Sequence, residues 1–188
     1  PGATRVLKFD LARLLARRGD ELGALKVLHG LVSEHSGDVE AWHLGGELAL
    51  RKPEFLEFAL EWTGEALRAA PAQSPLAAQR AEALMLNGEL EAAAPLWRQL
   101  RSERKPEQLA ALPLCEALTG DLSTRFGGSE ENEVSRAFLG LFRRLVERGA
   151  EALVRRIQIN LRGLAEILPT AAHALEQVLA DVGEARAA

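Results

Sequence analysis

Residues 39–71, VEAWHLGGELALRKPEFLEFALEWTGEALRAAP, constrain the fold of this 188-residue chain more than any other stretch. Apolar and small residues recur at helical spacing on both sides of Arg51-Lys52-Pro53, so the segment reads as two amphipathic helices joined at a proline. Trp42, Gly46 and Ala49 share the first helix, Ala59, Trp62 and Ala66 share the second, and Pro71 closes the unit. The pattern is one of packing. Gly46 and Ala59 let two helix backbones approach closely, while Trp42, Trp62 and Leu67 fill the space that remains. Such a unit cannot bury its apolar faces alone and must stack on copies of itself.

A Trp, a Gly four residues on, two Ala seven apart and a Pro five beyond resembles the tetratricopeptide repeat (TPR). Weaker copies flank this unit. Residues 5–38 carry Leu7, Leu11 and Leu15 on one stripe, a break at Gly19-Asp20, and Ala24, Leu28 and Leu31 on a second helix. Unit starts near 5, 39 and 74 give the period of about 34 residues expected of the family, with one inserted residue beside Pro53 in the 39–73 unit. Residues 74–107 begin at Ser74-Pro75, a capping hydroxyl before a first-turn proline. They turn at Asn87-Gly88 and end on the face Leu90, Ala93, Trp97 and Leu100. Pro95 falls inside that last helix, and Pro113 predicts a bend in the half repeat 108–118.

Beyond residue 118 the repeat spacing stops. Residues 119–128, TGDLSTRFGG, read as a loop. Residues 129–188 read as a helical bundle: one helix from Ser129, one from Glu151 to the stop at Leu168-Pro169, and one from Thr170. The resemblance over 5–118 implies an all-α fold, a TPR-like α-solenoid forming a right-handed superhelix, and the terminal bundle has the character of a cap packed on it.

Composition agrees with helix. The chain is 47% hydrophobic and 27% charged, rich in Ala, Leu, Glu and Arg and poor in β-branched and aromatic residues. A net charge of -4 and a pI near 5.7 leave no basic footprint for nucleic acid. No apolar run reaches the roughly 20 residues that span a bilayer. The single cysteine, Cys115, excludes an internal disulfide. The chain opens at Pro1-Gly2 without an initiating Met, the look of a trimmed or excised domain. A cytoplasmic location is the expectation, and a removed targeting segment is compatible with the sequence.

In TPR proteins the first helix of each repeat lines a concave groove that takes extended peptides or partner helices. Numbered from each unit's start, the ninth residues are Arg13, Glu47, Glu82 and Glu116, and His43, Arg51 and Gln79 are expected beside them. Three carboxylates in a ladder would favour a basic or amine-bearing segment, because unlike charge steers approach and disfavours acidic competitors. The bland alternative is a solvated helix face. Some relatives clamp a C-terminal carboxylate using Asn at the sixth position of successive repeats. Here those positions hold Asp10, Leu44, Gln79 and Pro113, so the clamp is absent.

Chemistry is harder to find. His29, His35, His43 and His173 lack a ligand spacing such as HExxH. Cys115 sits on an apolar face as a small hydrophobe. Phe126-Gly127-Gly128-Ser129 lacks the following Lys of a phosphate loop and faces Glu130, Glu131 and Glu133, so it reads as a hinge. No cofactor or metal is expected. Arg143, Arg144, Arg148, Arg155, Arg156 and Arg162 read as partners of local acids. The stripe Phe138, Leu141, Phe142 and Leu145 would supply a homodimer face through the C-terminal helices if nothing inside the chain covers it. The sequence thus points to a non-catalytic protein–protein interaction scaffold. The alternative is an accessory TPR arm of a larger bacterial enzyme, such as a glycosyltransferase.

Overall fold

The computed structural model describes residues 2–101, 106–120 and 131–187. The loop expected over 119–128 and the glycines at 127 and 128 lie, from residue 121 onward, outside the described residues. Among the described residues all regular structure is helical. The helices are α1 (Gly2–Arg17), α2 (Glu21–Glu34), α3 (Val39–Ala49), α4 (Leu56–Ala69), α5 (Ser74–Leu86), α6 (Leu90–Gln99), α7 (Pro106–Thr119), α8 (Glu131–Glu147), α9 (Glu151–Ile159), α10 (Leu161–Ile167) and α11 (Pro169–Ala187). They fall into two compact units, residues 1–83 and 84–188, divided inside α5.

In the first unit the punctuation is local chemistry. Gly19 adopts φ +80°, the left-handed conformation that ends α1, and the Asp20 carboxylate caps α2 by accepting from Gly23 N at 2.8 Å. Asp38 does the same for α3, accepting from Ala41 N at 3.1 Å. After α3, Lys52 is extended ahead of Pro53, and Pro53–Phe55 form a single 3-10 turn leading into α4.

Helices α1 with α2, α2 with α3, and α3 with α4 pack as successive pairs. Polar contacts also join alternate helices. Arg5 of α1 reaches Asp38 at the head of α3, and Gln79 of α5 donates to the His43 carbonyl of α3 at 2.8 Å. The rings of His29 on α2 and Trp62 on α4 meet at 6.5 Å. The first helix of each pair therefore lies in one layer and the second helices in the other.

The second unit has its own core. Gly88 at φ +82° makes the turn into α6, as Asn87-Gly88 predicts. Helix α6 runs unbroken through an exposed Pro95 and α7 through a buried Pro113. Helix α7 packs between α6 and α8, and α8 packs on α11. Phe138 and Phe142 stack at 6.0 Å, and both are fully buried with Leu141 and Leu145 close behind. The stripe considered as a homodimer face is thus covered within the chain itself.

The helix expected from Glu151 to Leu168 is two helices. Asn160 ends α9, its side-chain amide donating to the Arg156 carbonyl at 2.8 Å. This local bond competes with continuation of the helix, and the buried Ile157 and Leu164 anchor either side of the break. Arg156 holds α9 to the start of α6 by donating to Gly88 O and to Glu91, at 3.2 and 3.1 Å.

Candidate functional site

The geometry of the first unit is set by Trp62. Its Nε1 donates to the Trp42 carbonyl at 2.8 Å, and its ring meets the Trp42 ring edge-on at a centroid distance of 4.7 Å. Trp42 is held in turn by a bond from its own Nε1 to Ser36 O at 2.7 Å. The Trp62 indole lies over Gly45, where a Cβ would overlap the ring. Gly46 has another neighbour: a Cβ there would overlap the Gln79 amide. The adjacent glycines therefore make room in two directions, Gly45 for the helix paired with α3 and Gly46 for the next helix of its own layer. The sequence pattern singles out Gly46 and misses Gly45.

The structure divides the expected groove residues. Arg13 on α1 and Glu47 on α3 are exposed, and His43 is half-buried. Glu47 pairs along its own helix with Arg51 at 3.4 Å, both about half exposed. Gln79 is buried: its Nε2 is committed to His43 O, and its Oε1 lies against Gly46 without a partner among the described residues. Glu82 is half-buried and has an electrostatic or hydrogen-bonding partner. These six belong to the first unit.

Glu116 lies in the second unit, with its side chain 1% exposed. It accepts from Arg98 Nε and Nη2 at 3.3 and 3.0 Å. An arginine on the adjacent helix makes burial of this carboxylate tolerable. Burial, with the neighbouring Glu116 charge, pushes the Cys115 thiol up to about 12, which keeps it protonated and poorly nucleophilic.

The polar cluster at the α1–α3 junction has a weak sequence signal, an Asp directly before a helix. Arg5 donates to Asp38 at 2.7 and 2.8 Å and to Glu40 at 2.6 Å. The Arg5 guanidinium holds the Asp38 carboxyl below its ordinary range. An open depression of about 760 Å³ adjoins this cluster and is walled by residues 34–40. Its main charges already satisfy one another. Among the described residues no three His, Cys, Asp or Glu side chains gather as metal ligands, and no helix is long and apolar enough to cross a membrane.

Comparison with known proteins bears on the architecture. The crystal structure of MamA matches 88% of this chain and 94% of its own, at 12% identity and a TM-score of 0.59. The crystal structure of YrrB, described as a TPR protein with an unusual peptide-binding site, matches 90% of each chain at 19% identity and a TM-score of 0.56. The fold is that of the TPR proteins, an all-α helical-repeat solenoid. No family model and no curated protein matches the sequence. At these identities the likeness is one of fold.

Proposed function

We propose that this chain is a non-catalytic protein–protein interaction module whose first unit takes a peptide or partner segment across the exposed side of α1, α3 and α5. One observation carries the reading. The first helices lie in one layer, stitched by Gln79 to His43 and by Arg5 to Asp38, while Arg13, His43 and Glu47 keep solvent-accessible surface. A rigid layer of parallel helix faces with accessible charge is a surface that an extended segment can follow. The peptide-binding site named for YrrB supports the same class of ligand. Glu47 and Glu82 favour a basic segment, and Gln79 serves as the floor that spaces α3 from α5. Residues 129–188 act as the polar-faced end that a repeat array needs.

The test is selection from a displayed peptide library on the wild-type chain, followed by titration of the selected peptides against Glu47→Lys/Glu82→Lys. The expected result is enrichment of Lys- and Arg-bearing peptides whose affinity falls at least tenfold in the double reversal while its far-UV circular dichroism remains that of the folded wild type. Enriched peptides that bind both proteins equally would remove these residues from the site. A chain that enriches nothing would favour the reading as an arm of a larger enzyme.

A further inference from the structure

Helices α1, α3 and α5 repeat one pattern of accessibility. Counted from residues 5, 39 and 74, the fifth residues are Phe9, His43 and Ala78, and all three are half-buried. The ninth, one turn on, are Arg13 and Glu47, both exposed, and Glu82, half-buried. Both positions stay accessible on α3 although α2 packs before it and α4 after it. Accessibility here belongs to the position on the helix, and Arg13 holds that position on α1 whatever packs ahead of it. The charges along this layer are ordered. On α1, Asp10, Arg13 and Arg17 are exposed with no ion-pair partner among the described residues, and Arg18 follows in the turn, while Arg5 and Lys8 are paired to acids of the chain. The balance on α1 is positive. On α3, Glu40 is held by Arg5 and Glu47 is paired with Arg51, so charge is nearly balanced. On α5 the charges are Glu82 and Arg80, and Arg80 is turned to the Leu60 carbonyl of α4. The layer thus runs from positive at α1 to negative at α5.

We propose that the segment bound across these helices is dipolar: an acid that meets Arg13, and a Lys or Arg about three residues away that meets Glu47. The inference rests on the peptide reading above and sharpens it, because a ladder of carboxylates alone would call for basic residues throughout. The spacing follows from the layer. Arg5 bridges α1 to the head of α3, Gln79 bridges α5 to α3 at 2.8 Å, and helices held side by side by single side chains stand about 10 Å apart. A segment in the polyproline II conformation advances about 9 Å in three residues, one full turn, which returns the first and fourth residues to the same side. This match holds in either chain direction. The two contacts also displace little. Arg13 has no bond for a ligand to break, and the 3.4 Å bond between Glu47 and Arg51 is half exposed, so a ligand cation competes for Glu47 at small cost. Between the charges the segment passes the half-buried rings of Phe9 and His43, of which Phe9 is held by the Arg5 guanidinium 5.4 Å from its centroid. An apolar side chain between the acid and the base fits that part of the surface.

Selection of a displayed random-peptide library, run in parallel on the wild type and on Arg13→Glu, tests the inference. The wild type is expected to enrich peptides with Asp or Glu about three residues from a Lys or Arg. Arg13→Glu is expected to enrich a second Lys or Arg in place of the acid, and to keep the far-UV circular dichroism of the wild type because Arg13 is exposed. An enriched wild-type peptide is then titrated beside the same peptide with its acid changed to Gln. That change should weaken binding to the wild type by about threefold, the scale of one exposed ion pair, and should not weaken binding to Arg13→Glu. Basic peptides enriched equally on both proteins, with no acid at that spacing, would overturn the dipolar inference and leave the peptide reading standing. An acid preference that survives Arg13→Glu would do the same, since the acid would then meet some other group. Enrichment of nothing on either protein would overturn both.

Discussion

Replacing Gly45 with alanine probes the first unit at its tightest point. The added Cβ would fall within the Trp62 indole, and that ring has little freedom to yield. Its Nε1 is held on Trp42 O at 2.8 Å, the Trp42 and Phe58 rings lie 4.7 and 5.5 Å away, and Trp62 is 3% exposed. Overpacking a fixed core position costs about 1–3 kcal/mol, and confinement on three sides puts this site in the upper half of that range. Exchanging glycine for alanine inside a helix offsets about 1 kcal/mol. The net expectation is a loss of about 1–2 kcal/mol. Gly30→Ala is the matched control. It lies inside α2 with no neighbour within 4 Å of a new Cβ, so only the helix term acts and stability should rise by up to about 1 kcal/mol. Urea unfolding followed by tryptophan fluorescence, in a Trp97→Phe background, reports on Trp42 and Trp62 of the first unit. The two substitutions should move the midpoint in opposite directions. If Gly45→Ala raises it alongside Gly30→Ala, Trp62 does not sit on α3 and the pairing of α3 with α4 is wrong.

Two further substitutions test other contacts. Asp38→Ala removes a helix cap and the partner of Arg5, and should cost about 2 kcal/mol in the same urea assay. Asp38→Asn keeps a capping oxygen and should cost less, and its effect should depend on pH. Arg5 depresses the folded-state pKa of Asp38, so that stabilisation is present above the ordinary carboxylate value near 4 and is lost as pH falls through the lower folded value. Wild-type stability should therefore decline more steeply than that of Asp38→Asn below about pH 4; parallel declines would show that the ion pair is not made. Cys115 should resist a thiol reagent at pH 8 in the native chain and react at once in urea, since burial raises the thiol to about 12. Prompt labelling of the native chain would place α7 at the surface.

The sequence carries the fold well because the fold is built from one local pattern used repeatedly. Trp42, Trp62 and Ala66 announce a helical pair, Asp20 and Gly88 announce its turns, and the period fixes which helix follows which. What stays hidden is the direction of each small residue. Gly45 and Gly46 are neighbours in sequence, yet they open towards different helices, and only the distances to Trp62 and Gln79 separate them. The same limit affects the groove. A ninth-position rule treats Glu47 and Glu116 alike, because both are acids on first helices of units. The structure makes one a half-exposed partner of Arg51 and the other a buried acceptor for Arg98. Burial of a charge depends on whether a cation from an adjacent helix reaches it, and that is not a property of spacing along one helix. The break at Asn160 is missed for a related reason. Both halves keep apolar spacing, so periodicity runs through a residue whose own amide turns back on the helix.

The polar side chains of the first unit fall into two sets, and the division bears on where recognition can reside. Arg5, Gln79 and Arg80 each span to another helix, at 2.7 Å to Asp38, 2.8 Å to His43 O and 2.6 Å to Leu60 O. A side chain used in this way fixes the separation of helices, and a ligand that took its hydrogen bond would have to replace it or leave a buried carbonyl less well satisfied. Gln79 is the clearest case, because it binds the main-chain carbonyl of His43 and leaves the imidazole unconstrained. If this face takes a peptide as proposed, specificity would fall to side chains whose displacement costs little: the His43 ring, Arg13, and Glu47, whose bond to Arg51 is 3.4 Å long and half exposed. The inward set determines how far apart those groups stand. The spacing of a bound segment's contacts would then be set by residues it never touches, which is why Gln79, committed to the His43 carbonyl, is better read as a ruler between α3 and α5 than as part of the recognition surface.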